Sequence, residues 1–300
     1  MNASHTHAPD DRPIVHNGSS SGPRRIGRVA RRYSLTGRIL TEWQARRLSG
    51  THGVPDAVAC HELALPGSLA VDVGASVGNF TRVMAKAVGR HGHVLALEAS
   101  PSVYEELRRS TWSARVSTLN LAASNESGWV ELSVPFDGKD AHDQLSTLEA
   151  RDIGPVRRIT VRRTRLDDLI GADRAVSLIK IDVEGHEFDV LAGAISTLER
   201  WRPALVVEIE QRHLVGRSVT EVVETITGRG YECWGLRGRA LLPWASFDVK
   251  RDQLDWLTPD AHLGTARITM PDRYVNNFLF APSERATEIS TLMCRRFKTR

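Results

Sequence analysis

The densest chemistry in this 300-residue chain lies in two short segments, each following an apolar run. The first is Val71-Asp72-Val73-Gly74-Ala75-Ser76-Val77-Gly78-Asn79-Phe80, which reads as a strand end, a glycine-bearing turn and the start of a helix. Gly74 permits the turn and removes a side chain where a ligand approaches, and Gly78 lets the helix start close to the strand. The spacing is G-x-x-x-G with serine at position 76. The middle glycine that admits a pyrophosphate in dinucleotide-binding loops is therefore missing. Asp72 repels a phosphate and suits an amine or another cation. The next apolar run, His93 to Leu97, is followed by Glu98, 24 residues after Gly74. An acid at that place accepts both hydroxyls of a ribose.

Acid, glycine turn and second acid in this order fit S-adenosylmethionine better than a nicotinamide dinucleotide. That molecule carries an amine, a sulfonium and a ribose but no phosphate. The other loaded segment is Leu178-Ile179-Lys180-Ile181-Asp182-Val183-Glu184-Gly185-His186-Glu187, and Glu208, Glu210 and His213 come at and after the next apolar run. Titratable groups behind a buried strand are costly unless solvated, paired or used. Complementing a helix dipole accounts for Glu187; it accounts less well for Asp182. The expectation is acid–base work on an acceptor by Asp182 or Glu184, with His186 or His213 as the alternative base and Glu208 near Asp182. Carboxylates gathered with a histidine also suit Mg²⁺ or Mn²⁺. The spacing has no metal-specific signature, so no metal ligand is assigned.

These residues need a scaffold that brings strand ends together. Short apolar runs at Leu69–Val73, His93–Leu97, Val116–Leu121, Ser177–Asp182 and Ala204–Glu208 alternate with helical patterns at Phe80–Val88, Pro101–Arg109, Glu187–Arg200 and Val219–Thr227. Continuous apolar runs alternating with amphipathic helices predict a doubly wound α/β domain, its parallel sheet covered on both faces. Ligand is then expected at the carboxyl ends of the strands. Trp129–Val134 and Arg158–Thr164 read as an antiparallel insertion, its arginines as a solvated strand face, and Asn276–Phe280 as the closing strand.

The net charge of +4 and the high isoelectric point of about 9.2 invite a polyanion partner. Resolved by segment, residues 1–50 carry +6, residues 291–300 carry +4 and residues 51–290 carry −6. A nucleic-acid binder shows its basic stripe on the folded domain itself; here the body is acidic. Residues 1–25 read as a disordered tail, in which His5, His7 and His16 are solvated, residues 26–66 as an N-terminal helical cap, residues 67–282 as the catalytic domain and residues 283–300 as a basic C-terminal tail. No apolar stretch is long enough to span a bilayer, and the polar start is unlike a secretory signal. Three scattered cysteines, Cys60, Cys233 and Cys294, suit a reducing cytoplasm. Thirty-five arginines against five lysines are associated with a GC-rich bacterial genome and with secondary metabolism.

The residues quoted above, together with Leu166-Asp167-Asp168-Leu169, Leu191-Ala192-Gly193-Ala194, the Pro203–Glu208 run and Asn277-Phe278-Leu279-Phe280, resemble the FkbM-type methyltransferases. The resemblance covers roughly residues 56 to 282, and Asp182-Val183-Glu184-Gly185-His186-Glu187 is its most specific part. It implies a Rossmann-like class I methyltransferase fold with an antiparallel last strand, S-adenosylmethionine as donor and the hydroxyl of a sugar, polyketide or other small metabolite as acceptor. By the same pattern Asp72, Gly74, Ala75, Gly78, Asn79, Glu98 and Ala99 bind the cofactor and Ala122 and Ala123 lie near its adenine. Asp182 and Glu184 face the transferred methyl, and His186 stands where the family varies. Two other readings compete: an RNA methyltransferase that uses the arginine-rich ends, and a non-catalytic Rossmann nucleotide-binding protein. No Asn/Asp-Pro-Pro-aromatic segment of amino-methylating enzymes is present, and Asp72 and Ser76 disfavour a dinucleotide. Trp234, Trp244, Trp256, the 135–157 loop and the 237–272 segment are left as possible walls of the acceptor pocket.

Overall fold

A computed structural model of the protein describes residues 54–111, 113–135, 146–149, 156–260, 265–269 and 272–298. The chain enters through α1 (Pro55–Leu63), with Pro55 in its first turn, where a missing N–H costs nothing. It continues through β1 (Leu69–Val73), α2 (Asn79–Ala87), β2 (His93–Leu97), α3 (Pro101–Ser110) and β3 (Val116–Leu119). A side sheet of β4 (Ala122–Ala123), β5 (Gly128–Pro135) and β6 (Val156–Thr164) follows, with β5 and β6 antiparallel. The chain then runs through α4 (Leu166–Leu169), β7 (Val176–Ile181), α5 (Glu187–Ala192), α6 (Ile195–Trp201), β8 (Ala204–Glu208), α7 (Val219–Thr227), β9 (Tyr231–Arg237), β10 (Ala240–Pro243), α8 (Val249–Asp252), β11 (Leu257–Asp260), β12 (Thr265–Ile268), β13 (Asn277–Pro282) and α9 (Ala286–Lys298).

The main sheet has the order β10-β9-β13-β8-β7-β1-β2-β3. Strands β3, β2, β1, β7 and β8 pair in parallel, and β13, the last strand, runs antiparallel to β8 and β9. The doubly wound sheet read from the sequence is thus present. Strand side chains alternate between faces, and the two cores follow that period. Val71, Val73, Ile179, Ile181, Leu205 and Val207 face one core, while Ala70, Leu178, Ala204 and Val206 face the other, with α1 and α9. Chain order reverses at β1, which lies between β2 and β7. Parallel α/β sheets open a ligand crevice at such a point.

Three readings need correction. The pattern Glu187–Arg200 is two helices, not one, broken at Gly193-Ala194. A Cβ on Gly193 would lie 1.9 Å from the Ser124 carbonyl oxygen, so the break lets the chain pass against that loop. Residues 286–298 are no solvated tail: α9 buries Ala286, Ile289, Met293 and Phe297 against the α1 side of the sheet. The third strand ends at Leu119, two residues early. Of the proposed cap, Pro55–Leu63 is the helix described; the tail at 1–25 with its histidines, the first half of the cap and most of the 135–157 loop lie outside the described residues. Among the described residues no helix is long and apolar enough to cross a membrane.

Candidate active site

At the carboxyl ends of β1, β2, β7 and β8 a cavity of about 260 Å³ opens. Its wall includes Gly74, Ser76, Glu98, Ala99, Ala122 and Ala123 on the β1–β4 side and Asp182, Glu184, His186 and Glu208 on the β7–β8 side. Leu97, Leu121, Leu132 and Leu148 add an apolar lining.

The glycine turn earns its composition. Gly74 has φ +73°, and a Cβ there would stand 1.7 Å from the Asp182 carbonyl oxygen. Only a glycine lets β1 leave the sheet this close to β7. Gly78, with φ +83°, caps α2, and a Cβ would meet Thr111 at 2.4 Å and Leu107 at 2.9 Å. Ser76 itself holds φ +48° and donates its N–H to Glu98 Oε2 at 2.9 Å. The Ser100 N–H donates to Glu98 Oε1 at 2.8 Å. Two backbone donors thus fix the Glu98 carboxyl at the cavity wall, while burial pushes it up to about 7. Asn120, which the sequence reading passed over, braces this strand end by donating Nδ2 to the carbonyls of Glu98 and Ala99 at 2.8 and 3.0 Å.

Asp72 does not reach the cavity. It is the Cα partner of Ala96 and Lys180 and projects on the Ala70 side of the sheet, where its Oδ2 accepts from Thr81 Oγ1 at 2.6 Å. The period of two along β1 turns it away from the ligand and into the α2 layer. Burial raises its carboxyl above the usual range, against the opposing pull of Lys180 and Thr81. Ala75, Gly78 and Asn79 are likewise absent from the cavity wall: Ala75 packs with Ala96 and Leu107, and Asn79 Oδ1 accepts from Arg82. These four shape the loop rather than line the cavity.

On the opposite wall Lys180 Nζ donates to Asp182 Oδ2 at 2.9 Å. Burial alone lowers the Lys180 ammonium; the Asp182 and Asp72 carboxylates outweigh it and hold it above its ordinary value. Glu184 has φ +56° and pairs through Oε2 with His213 Nδ1 at 3.1 Å. His186 is engaged at both nitrogens, Nε2 with Ser124 Oγ at 3.0 Å and Nδ1 with Glu149 Oε1 at 2.7 Å. Both nitrogens are thus held by protein partners, which fixes the ring between Ser124 and Glu149. Glu187 is buried outside the cavity lining and accepts the Gly185 N–H at 3.0 Å, and burial pushes it up to about 7.

Glu208 ends β8 and lines the cavity, as the sequence order suggested. Its Oε1 accepts from Asn276 Nδ2 at 2.9 Å. Burial first, then the nearby Asp182, lifts its carboxyl well above the usual range. Glu210 behind it behaves oppositely. Burial works against its charge, but Arg212, at 2.5 and 3.1 Å, overcomes this and holds it at about 2, and Tyr274 OH donates to it as well. The wall thus presents an acid that favours its neutral form beside a lysine-paired carboxylate. Of the tryptophans considered for the pocket, Trp244 stacks on Phe247 at 5.2 Å and meets Phe278 edge-on, which makes it core.

The methyltransferase FkbM domain family matches residues 72–233, more than half of the chain. The chain is similar to methyltransferase sdnD of Sordaria araneosa, 24% identical over 243 residues that cover 69% of this chain and 85% of that protein. Among solved structures it is similar to methyltransferase FkbM of Methylobacillus flagellatus KT, at 16% identity and TM-score 0.42. That match covers 82% of this chain but only 59% of the other. Fibrillarin of Aeropyrum pernix, solved with natively bound S-adenosyl-L-methionine, matches at 13% identity and TM-score 0.38, over 80% of this chain and 74% of that one. The chain belongs to the FkbM family of S-adenosylmethionine-dependent methyltransferases.

Proposed function

We propose that the chain transfers a methyl group from S-adenosylmethionine to a hydroxyl of a small metabolite. The observation that carries the reading is the cavity at the switch point of the sheet, with a glycine turn on one wall and paired carboxyls on the other. The residues present suit the donor. Gly74 leaves the space a Cβ would fill, and Glu98 offers a carboxyl, oriented by Ser76 and Ser100, to the ribose hydroxyls. Ala99, Ala122 and Ala123 give a small apolar wall for the adenine.

The donor supplies an activated methyl on sulfur, so the chain's own task is to hold the acceptor oxygen in line and to take its proton. Asp182 is the base in this reading. Lys180 occupies one of its carboxylate oxygens and fixes its direction, as an orienting partner should. The O–CH₃ bond forms as the S–CH₃ bond breaks, the hydroxyl proton passes to Asp182, and S-adenosylhomocysteine leaves. Glu208, favouring its neutral form and hydrogen-bonded to Glu210, adds no second negative charge beside Asp182. Four carboxyl groups in the wall disfavour a polyanionic acceptor, because phosphate binding relies on Lys and Arg. Calorimetric titration with S-adenosylhomocysteine tests the reading: micromolar binding supports it, and no binding sinks it.

A further inference from the structure

We propose that Glu149, Nδ1 of His186 and Asp189 form a site for a divalent first-row cation at the rim of the cavity. Their ligand-type atoms all lie within 4.8 Å of one another. Nδ1 of His186 is 2.7 Å from Glu149 Oε1 and 3.6 Å from Asp189 Oδ2. A single hydrogen bond from Nδ1 satisfies Glu149. Asp189, in the first turn of the helix that His186 caps, presents a second carboxylate oxygen to the same nitrogen from beyond hydrogen-bond reach, where a cation can draw the three atoms into one shell.

His186 and Asp189 are braced through their side chains from outside the cluster, and Glu149 through its backbone. Ser124 Oγ holds Nε2 of His186 at 3.0 Å, which leaves Nδ1 as the nitrogen turned to the carboxylates. Asn125 Nδ2 donates to Asp189 Oδ1 at 2.8 Å, which leaves Oδ2. The Glu149 N–H donates to Thr147 Oγ1 at 3.1 Å, and that hydroxyl donates to the Glu184 carbonyl at 2.8 Å. Metal-binding side chains are held by partners of this kind. Ser124 and Asn125 are adjacent, and the missing Cβ of Gly193 is what lets their loop approach α5 and α6.

One imidazole with two carboxylates offers two negative charges and a mixed nitrogen–oxygen set, and three protein ligands leave coordination positions open. The nitrogen favours manganese, iron or zinc over magnesium or calcium. The position also matters. Leu148, beside Glu149, and His186 both line the cavity, so an ion here ties the 146–149 segment to the start of α5 and sets that wall.

Chelator-treated, tag-free full-length protein is titrated with Mn²⁺, and free ion is followed by its electron paramagnetic resonance signal. One bound Mn²⁺ per chain is expected. Glu149→Gln and Asp189→Asn should each weaken binding at least tenfold, and Ser124→Ala by about tenfold through the histidine it orients. Mn²⁺ should raise the melting temperature of the parent protein and leave that of the Glu149→Gln/Asp189→Asn double variant unchanged. Absence of binding up to about 1 mM, equal affinity in the double variant, or displacement by an equal concentration of Mg²⁺ would each overturn the site. S-adenosylhomocysteine titration of the same variants reports separately on whether the cavity is intact.

Discussion

Lys180 and Asp72 are Cα partners across β7 and β1, on the same face of the sheet, and the Lys180 ammonium lies 2.9 Å from Asp182 at the strand end. One buried cation therefore serves two acids: Asp182 at the cavity and Asp72 behind the glycine turn. Phe80 of α2 covers it, with the ammonium 4.4 Å from the ring centroid. The β7 wall of the cavity and the loop that faces it are joined electrostatically beneath the cavity.

Lys180→Met should therefore act on the whole domain. It removes the charge and leaves buried Asp72 and half-buried Asp182 side by side. Removing one partner of a buried ion pair costs about 3 kcal/mol or more. Urea denaturation should show the loss, and a variant with the parent's midpoint would show that the pair contributes nothing to the fold.

Asp182→Asn separates binding from chemistry. The side chain keeps its size and its place at the end of β7, so affinity for S-adenosylhomocysteine should stay within about threefold. Turnover should fall by about 10²–10⁴, the usual worth of a positioned base. Once an acceptor is in hand, unaltered turnover in this variant removes Asp182 from the mechanism.

Glu98 makes the protein's behaviour depend on pH near neutrality. Burial raises its carboxyl from an ordinary 4.5 to about 7. A raised acid gives its full stability below its unfolded value and loses it as pH rises through the folded one. The stability of Glu98→Gln relative to the parent should thus improve from pH 4 to pH 8, by at most about 3 kcal/mol. Ribose hydroxyls donating to Glu98 favour its ionised form, so S-adenosylhomocysteine should bind the parent about tenfold tighter at pH 8 than at pH 6. A flat affinity profile would show that Glu98 does not receive the ligand.

How much of this was legible in advance follows from what local sequence encodes. Each buried strand announces itself as an apolar run, and Gly74, Glu98, Asp182 and Glu208 could be placed because they sit at the ends of such runs. Asp72 misled because its place in the chain is beside the turn while the pleat points it the other way. Ser124 and Glu149 were missed because their partner, His186, is 62 and 37 residues away. No local pattern carries such pairings. Lys180 stood in full view inside an apolar run, and a charge there was the available signal that something must neutralise it.

Gly74→Ala tests the loop directly. The new Cβ meets the Asp182 carbonyl oxygen, and a φ of +73° is strained for alanine whatever the space. The conformational strain alone costs about 1–3 kcal/mol. Folding stability and S-adenosylhomocysteine affinity should fall together, because β1 and β7 must separate to admit the methyl group. Parent-like affinity would mean that the turn is not held this tightly.

The C-terminal helix gives a prediction in which packing, not charge, decides. Residues 291–300 carry a charge of +4, and that composition hides a buried stripe at Ala286, Ile289, Met293 and Phe297, spaced three, four and four apart. This is the period of a helix with one covered face. Met293 is fully buried, in the core cluster with Cys60 and Leu63 of α1. Met293→Ala should cost about 2–5 kcal/mol through lost contact and the cavity left behind. Arg296, on the other face, pairs with Glu62 at 3.0 Å while half exposed. A solvated pair of that kind contributes about 0–1 kcal/mol, so Arg296→Ala should leave the melting curve nearly unchanged. The helix packs on the α1 side of the sheet, away from the cavity wall, so both variants should bind S-adenosylhomocysteine like the parent at low temperature. Equal thermal losses in the two variants would mean that the basic face, not the apolar stripe, holds the helix in place.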